Sequence, residues 1–148
     1  MQLIDSKKIE KFFTTKLSEI KLDKILIDST VASLVEASLF GIDSHGVNLF
    51  THYYDCLNHG RIKKGKNLEF KINGACLSCN ANNNLANYAA KKSLLKLEEI
   101  SNQFGIAIAS INNCDHIGAV GVHAVNSKIK NKLILGFTNA DALAVTPD

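Results

Sequence analysis

The sequence lacks several features that would assign the protein to a class at once. It has four cysteines in 148 residues, too few for a disulfide scaffold in a chain of this length. Its longest apolar run, residues 106–111, contains a serine and is far too short to cross a bilayer. Residues 1–15 mix charged with apolar side chains and contain no stretch typical of a secretion signal. We therefore expect a cytoplasmic protein without a membrane anchor.

Positive charge is sparse as well. The formal net charge is +3, the lysines are scattered, and Arg61 is the only arginine, so there is no basic stripe interleaved with aromatic residues. Nucleic acid is therefore not an expected partner. Hydrophobic residues make up 46% of the chain and charged residues 21%, which predicts a packed globular protein rather than a disordered one.

Hydrophobic spacing predicts three helices at the start of the chain. The first two have apolar side chains on one face at positions 9, 12, 13 and 17 and at positions 27, 31, 34 and 35, and the third spans residues 47–58. Period-two alternation over residues 68–72 then predicts a strand with one wet face. Further helices are predicted over residues 84–103 and 118–130, a buried strand over 105–111 and a last strand over 133–138.

These elements predict an α/β protein in which an N-terminal helical layer is followed by a βαβαβ unit. The lysine-rich link at residues 61–66 is the predicted boundary. It divides the chain into a helical region, residues 1–66, and a partial α/β region, residues 67–148.

A first histidine turn joins the second and third predicted helices. Ser44 and His45 stand in it between Gly41 and Gly46. An imidazole exchanges protons near neutral pH, and a neighbouring hydroxyl can fix its tautomer, so the turn suits proton transfer. On local chemistry alone, a turn hydroxyl beside an exposed imidazole is the commoner interpretation.

A second histidine turn follows the predicted strand at residues 105–111. Asp115 and His116 are followed there by Gly118 and Gly121. The alternative interpretation is a helix N-terminus capped by Asp115. Such an N-terminus also offers free N–H groups to a cofactor phosphate or a developing oxyanion. The glycine spacing is only a fragment of a dinucleotide-binding fingerprint.

Two further patterns favour other chemistries. Histidines recur every seven residues at positions 45, 52 and 59, but histidines that share a metal ion on one helix usually stand four residues apart. Cys76 and Cys79 form a C-x-x-C between a predicted strand and a predicted helix, which is where a thiol redox pair would lie. No second pair has zinc-ligand spacing, so we expect no metal site. Incidental small residues are the alternative to a redox pair.

Together the two histidine turns resemble the malate/L-lactate dehydrogenase family, which also includes ureidoglycolate dehydrogenase. The resemblance spans nearly the whole chain. It rests on the run from Leu34 to Val47, on Tyr53 or Tyr54, on Gly60-Arg61-Ile62, and then on Gly105-Ile106-Ala107, Asn112-x-x-x-His116-x-Gly118-x-x-Gly121 and Thr138-Asn139.

The resemblance implies an oxidoreductase that transfers a hydride between NAD or NADP and a 2-hydroxy acid or a related carbonyl or imine compound. It also implies a homodimer, a small-molecule substrate and a cofactor fold unrelated to the doubly wound Rossmann sheet. By the same resemblance, His45 exchanges the substrate proton, Ser44 orients it, and His116 acts as a proton acceptor. The cofactor contacts that it implies are His116, Gly118, Ala119, Asn139 and Ala140.

The sequence departs from the family pattern in two respects. Four residues after the first histidine, family members usually carry an arginine that clamps the substrate carboxylate, whereas this chain has Leu49. Arg61 could replace it only if the fold brings it close. Family members are also longer, so we expect the truncated N-terminal portion of an enzyme. The alternative is a catalytically inactive remnant or a partner-binding module of the same fold.

Overall fold

The computed structural model describes residues 4–127, 129 and 131–139, which form a helical layer followed by a three-stranded sheet. Two single-turn 3-10 helices, Asp43–His45 and Val47–Leu49, connect the second and third helices. The helices are α1 (Ser6–Glu19), α2 (Lys24–Leu39), α3 (Phe50–Asn58), α4 (Ala86–Phe104) and α5 (Val120–Asn126), and the strands are β1 (Glu69–Asn73), β2 (Cys76–Asn84) and β3 (Ile108–Cys114). The predicted α/β class with an N-terminal helical layer is confirmed.

The first two helices begin at aspartate caps. The carboxylate of Asp5 accepts a hydrogen bond from the Lys7 amide at 2.8 Å, and that of Asp23 accepts one from the Ile25 amide at 3.0 Å. Each bond satisfies an amide that has no partner within the helix. None of the helices in the described ranges is both long and apolar enough to cross a membrane.

The helical layer packs around one cluster of buried apolar side chains. Phe13 of α1 stacks on Phe50 of α3, with ring centroids 3.8 Å apart. Leu85 and Tyr88, at the start of α4, belong to the same cluster as the buried residues of α1, α2 and α3. The helices and the start of the α/β region therefore share a core across the predicted boundary at residues 61–66, and that boundary stays a prediction.

The sheet has the order β1-β2-β3, with β1 antiparallel and β3 parallel to the central β2. Helix α4 connects the two parallel strands. This order differs from the predicted βαβαβ unit, because β1 and β2 form a hairpin before α4. Residues 133–138 also form no strand. A strand needs a neighbour for its backbone N–H and C=O groups, and the side chains of Leu133, Leu135 and Phe137 are exposed instead.

Glycine and asparagine conformations explain where the elements begin and end. Gly105 has φ +78° and ends α4, so β3 starts three residues later than predicted and is not the buried strand expected there. At the end of β2, Asn82 and Asn83 have φ values of +53° and +63°, beside a shift in the register with β3. Asparagine tolerates this left-handed region better than most residues do. Helix α5 is shorter than the predicted residues 118–130, of which 128 and 130 lie outside the described residues.

Candidate active site

The first histidine turn is built by the end of α2. Gly41, with φ +75°, turns the chain out of the helix, and the 3-10 helix Asp43–His45 follows. The hydroxyl of Ser44 lies 2.8 Å from Nδ1 of His45, so the two side chains are within hydrogen-bonding distance. His45 is half-buried, and Ser44 is exposed.

Gly46 allows this turn to pack closely against α2. The amide of Val47 donates to the hydroxyl of Ser38 at 3.0 Å. A Cβ on Gly46 would collide with the same hydroxyl and lie 3.0 Å from the Ser38 amide nitrogen. Gly46 has φ −96°, so close approach rather than backbone conformation requires glycine here. The position of His45 therefore depends on Gly46, because any side chain at this position would collide with Ser38.

The second histidine lies on the loop between β3 and α5, and Tyr53 of α3 holds this loop. The Tyr53 hydroxyl donates to the His116 carbonyl at 2.8 Å and lies 3.1 Å from Nδ1 of the same residue. Nε2 of His123, on α5, donates to the Ile117 carbonyl at 2.9 Å. The Gly118 amide is 3.3 Å from Nδ1 of His116. The loop is thus fixed from two helices.

The fold brings the two predicted histidines together. The rings of His45 and His116 are stacked, with centroids 5.3 Å apart and planes inclined by 28°. Neither sequence turn by itself predicts this contact. The end of α2 packs against the His45 turn, and Tyr53 of α3 binds the His116 loop, so two consecutive helices position the imidazoles.

The surroundings of the pair favour a neutral His116 and a protonated Tyr53. Partial desolvation, and then the neighbouring imidazoles of His45 and His52, hold the pKa of His116 below its ordinary value. Burial, and then the charge of Asp115, raise the pKa of Tyr53 far above its ordinary value. At neutral pH, His116 can therefore accept a proton, whereas Tyr53 keeps its own.

Asp115 caps a helix, but not the one that the sequence suggests. Its Oδ1 accepts a hydrogen bond from the Ala86 amide at 2.5 Å, at the start of α4 rather than of α5. Its Oδ2 is buried without a hydrogen-bond partner in the described structure. Burial raises the pKa of this carboxyl to about 6, although the bond from Ala86 opposes the rise.

Asp115 should make stability depend on pH. The pKa of its carboxyl in the folded protein, about 6, lies above the ordinary value of 3.8, so the folded state binds more protons between these values. The free energy of unfolding should therefore fall by about 3 kcal/mol between roughly pH 4 and pH 6, and this fall should be absent in Asp115→Asn. Urea unfolding across that range, with Asp28→Asn as an exposed control, checks this. Parallel pH curves for the wild type and Asp115→Asn would contradict it.

The structure places the remaining predicted site residues differently. Gly118 and Ala119 are buried, and Gly118 has φ +77°, so they shape the loop that carries His116 and present little surface to a ligand. Asn139 is exposed, and Ala140 lies outside the described residues. Leu49 packs against the core of the helical layer. Arg61 lines a shallow pocket with His52 and His59, and neither His45 nor His116 lines that pocket.

The cysteines do not form the redox pair that the C-x-x-C spacing suggested as an alternative. Both lie within β2, where residues three apart point to opposite faces, and Cys76 is exposed whereas Cys79 is buried. Burial raises the pKa of the Cys79 thiol, so this thiol is not activated as a nucleophile. Among the described residues, no group of three or more histidine, cysteine or acidic side chains could hold a metal ion.

Known proteins share this fold. A putative malate/lactate dehydrogenase from E. coli aligns with a TM-score of 0.78 at 23% identity over 84% of this chain and 35% of its own. The sulfolactate dehydrogenase from Methanocaldococcus jannaschii aligns with a TM-score of 0.79 at 20% identity over 84% of this chain and 36% of its own. The chain therefore shares the fold of these malate/lactate and sulfolactate dehydrogenase structures.

Sequence similarity identifies the family. The family model for malate/L-lactate dehydrogenase matches residues 4–148. The malate/(S)-sulfolactate dehydrogenase of Methanothermus fervidus is 30% identical over 120 residues, which cover 80% of this chain and 35% of that protein. The 2,3-diketo-L-gulonate reductase of Mannheimia succiniciproducens is 31% identical over 108 residues, 72% of this chain and 32% of that protein.

The chain belongs to the malate/L-lactate dehydrogenase family, and the predicted resemblance is confirmed. It spans about a third of the length of the relatives that it matches.

Proposed function

We propose that this chain carries the proton-transfer half of an oxidoreductase active site, in which hydride passes between NAD or NADP and a 2-hydroxy acid or a related carbonyl or imine compound. The stacked contact of His45 and His116 is the observation that carries the proposal. Family membership supports the reaction class. The dehydrogenase and reductase names of the relatives favour small oxidised acids or sugar acids as substrates.

In the proposed chemistry, each hydride transfer is accompanied by transfer of a proton to or from the substrate oxygen. When bound, the nicotinamide supplies or accepts the hydride. In the reduction direction, the histidine pair protonates the substrate oxygen as negative charge develops, so a free alkoxide does not form. Ser44 orients the His45 ring through its contact with Nδ1. In the oxidation direction, the neutral His116 accepts the proton.

We propose that a nicotinamide cofactor binds at the exposed edge of the histidine pair. The His116 ring and Asn139 reach the surface, and we propose them as the cofactor contacts. Gly118 and Ala119 then serve the cofactor by shaping the His116 loop, because both are buried. Ala140 stays a proposed contact outside the described residues. The homodimer and the cytoplasmic location also stay predictions.

Leu49 leads to a prediction about substrate choice. Without a guanidinium at this position, simple 2-oxo acids such as pyruvate should react slowly. Leu49→Arg should raise kcat/KM for them by roughly 10- to 100-fold, because a charge-assisted bond to a carboxylate contributes about 1.5 to 3 kcal/mol. Initial rates of NAD(P)H oxidation check this.

Leu49→Gln is the matched control, because it removes the same packing against the core and adds no charge. An equal gain in Leu49→Gln would show that the charge is not responsible. Efficient pyruvate reduction by the unchanged protein would show that another cation already holds the carboxylate.

The experiment that tests the proposed function is a hydride-transfer assay on the protein as its gene expresses it. NADH and NADPH are each offered with a panel of 2-oxo acids, oxidised sugar acids and cyclic imines, and absorbance at the nicotinamide band is followed. Turnover with a member of the panel supports the proposal. Binding of NAD(P)H without turnover of any compound would favour the inactive remnant or partner-binding module.

A further inference from the structure

The hydroxyl of Tyr53 has one proton and two neighbours on His116. Its contact with the His116 carbonyl oxygen, at 2.8 Å, is the shorter one, and a carbonyl oxygen can only accept. The side-chain amide of Asn87 also faces this hydroxyl, and its N–H can donate to the Tyr53 oxygen. The Tyr53 proton therefore lies on the bond to the His116 carbonyl. The Tyr53 oxygen then presents its lone pairs to Nδ1 of His116 at 3.1 Å. A contact between lone pairs and a ring nitrogen at this distance is favourable when the nitrogen carries a proton, so the contact favours a proton on Nδ1.

We propose that Tyr53 is a positioning residue that keeps the proton of neutral His116 on Nδ1 and thereby leaves Nε2 free to accept the substrate proton. The proposal rests on the proposed function for the role of His116 in the reaction. The proposed tautomer of the His116 ring does not depend on that function. Tyr53 then acts through His116, because its own side chain is buried.

One contact acts against this tautomer. The Gly118 amide points to Nδ1 at 3.3 Å, and it can form a hydrogen bond only when Nδ1 carries no proton. The Tyr53 contact is shorter, and Tyr53 is fixed because its side chain is 0% exposed. The two contacts thus define a balance between tautomers, and loss of the Tyr53 oxygen should reverse it.

The groups around the ring do not replace Tyr53 in this role. His45 stacks on the His116 ring, and His52 meets Tyr53 edge to face at 5.8 Å between ring centroids. Asp115, the residue before His116, directs its Oδ1 to the Ala86 amide, and its charge helps to keep Tyr53 protonated. Because Tyr53 keeps its proton across the working pH range, it acts by orientation and not as an acid or base.

Tyr53→Phe tests the proposal, because it removes one oxygen and retains the ring in the core. In ¹⁵N NMR spectra of histidine-labelled protein, we expect neutral His116 to change from the Nδ1–H to the Nε2–H tautomer. We expect kcat to fall roughly 10- to 100-fold, as for loss of one hydrogen bond to a charged group, with little change in KM. The lower limb of the kcat–pH profile should move down by roughly one pH unit, since protonated His116 loses an acceptor.

Tyr54→Phe is the matched control, because Tyr54 is the adjacent, half-buried tyrosine of the same helix and contacts the Phe50 ring instead. It should leave the His116 tautomer and the pH profile unchanged. An Nε2–H ring in the wild-type protein, or an unchanged tautomer in folded Tyr53→Phe, would overturn the proposal. The wild-type spectrum decides the question even if Tyr53→Phe does not fold. Full activity of His116→Ala alongside the tautomer change would instead overturn the proposed function and leave the positioning role intact.

Discussion

His45→Ala is expected to fold normally and to lose about two to four orders of magnitude in kcat, the size of effect typical for removal of a general acid or base. His45 is half-buried at the end of a 3-10 turn and stacks on His116, so its removal takes away one member of the proposed proton-transfer pair. Cofactor affinity should change less than kcat. Steady-state kinetics together with calorimetric binding of NAD(P)H check both expectations.

His59→Ala is the matched control for this substitution. His59 is an exposed histidine at the end of α3, and its Nδ1 contacts the Asp55 carbonyl in its own helix at 2.8 Å. Its removal should leave kcat unchanged. Ser44→Ala should lower kcat less than His45→Ala does, because it removes the hydroxyl that orients the His45 ring but retains the ring itself. Turnover of His45→Ala close to that of the wild type would refute the assignment of the catalytic residue.

Gly46→Ala is expected to destabilise the protein by about 1 to 3 kcal/mol, as overpacking of a close contact does, and to lower kcat. The added methyl group would collide with the Ser38 hydroxyl and push the His45 turn away from α2. The His45 ring would then leave its stacked position on His116. Urea unfolding measures the first effect, and the turnover assay measures the second.

Two variants separate this collision from general effects of replacing glycine. Gly121→Ala places the same methyl group on α5, where nothing lies within 4 Å and φ is not positive, and it should be neutral or slightly stabilising. Ser38→Ala should cost less stability in the Gly46→Ala protein than in the wild type, because it removes the colliding atom. Equal costs of Ser38→Ala in both backgrounds would show that the collision is not the cause.

The helices were predictable because each combines an apolar stripe with a local start or stop signal. In helix α2 the four predicted apolar positions are buried, and Gly41 turns the chain just after its end. The buried surface is wider than the predicted stripe, because it also includes Leu26, Thr30 and Ala37. Strand β2 was less accessible to prediction. Its buried residues Leu77, Cys79 and Ala81 do alternate, but small side chains and the asparagines after them have weak strand propensity, so the alternation alone does not predict a strand.

The sequence predicts which residues belong to the candidate site, but it does not predict how they are arranged in space. The Ser44 contact with His45 is local, and sequence neighbours suffice to predict it. The stacking of His45 on His116, the α4 cap by Asp115 and the bond from Tyr53 to the His116 loop join residues far apart in the chain. Such contacts follow from packing of complete elements. No local pattern in the sequence shows what the hydroxyl of the buried Tyr53 binds.

A double-mutant cycle on the histidine pair tests most directly the central claim that His45 and His116 act on one proton transfer. NAD(P)H-linked turnover is measured for the wild type, His45→Ala, His116→Ala and the double variant, each with the same substrate. If the residues act as a unit, each single substitution lowers kcat by at least about 100-fold, and the double variant is no slower than about the slower single variant. Near-wild-type turnover of either single variant, or losses that multiply in the double variant, would contradict the claim.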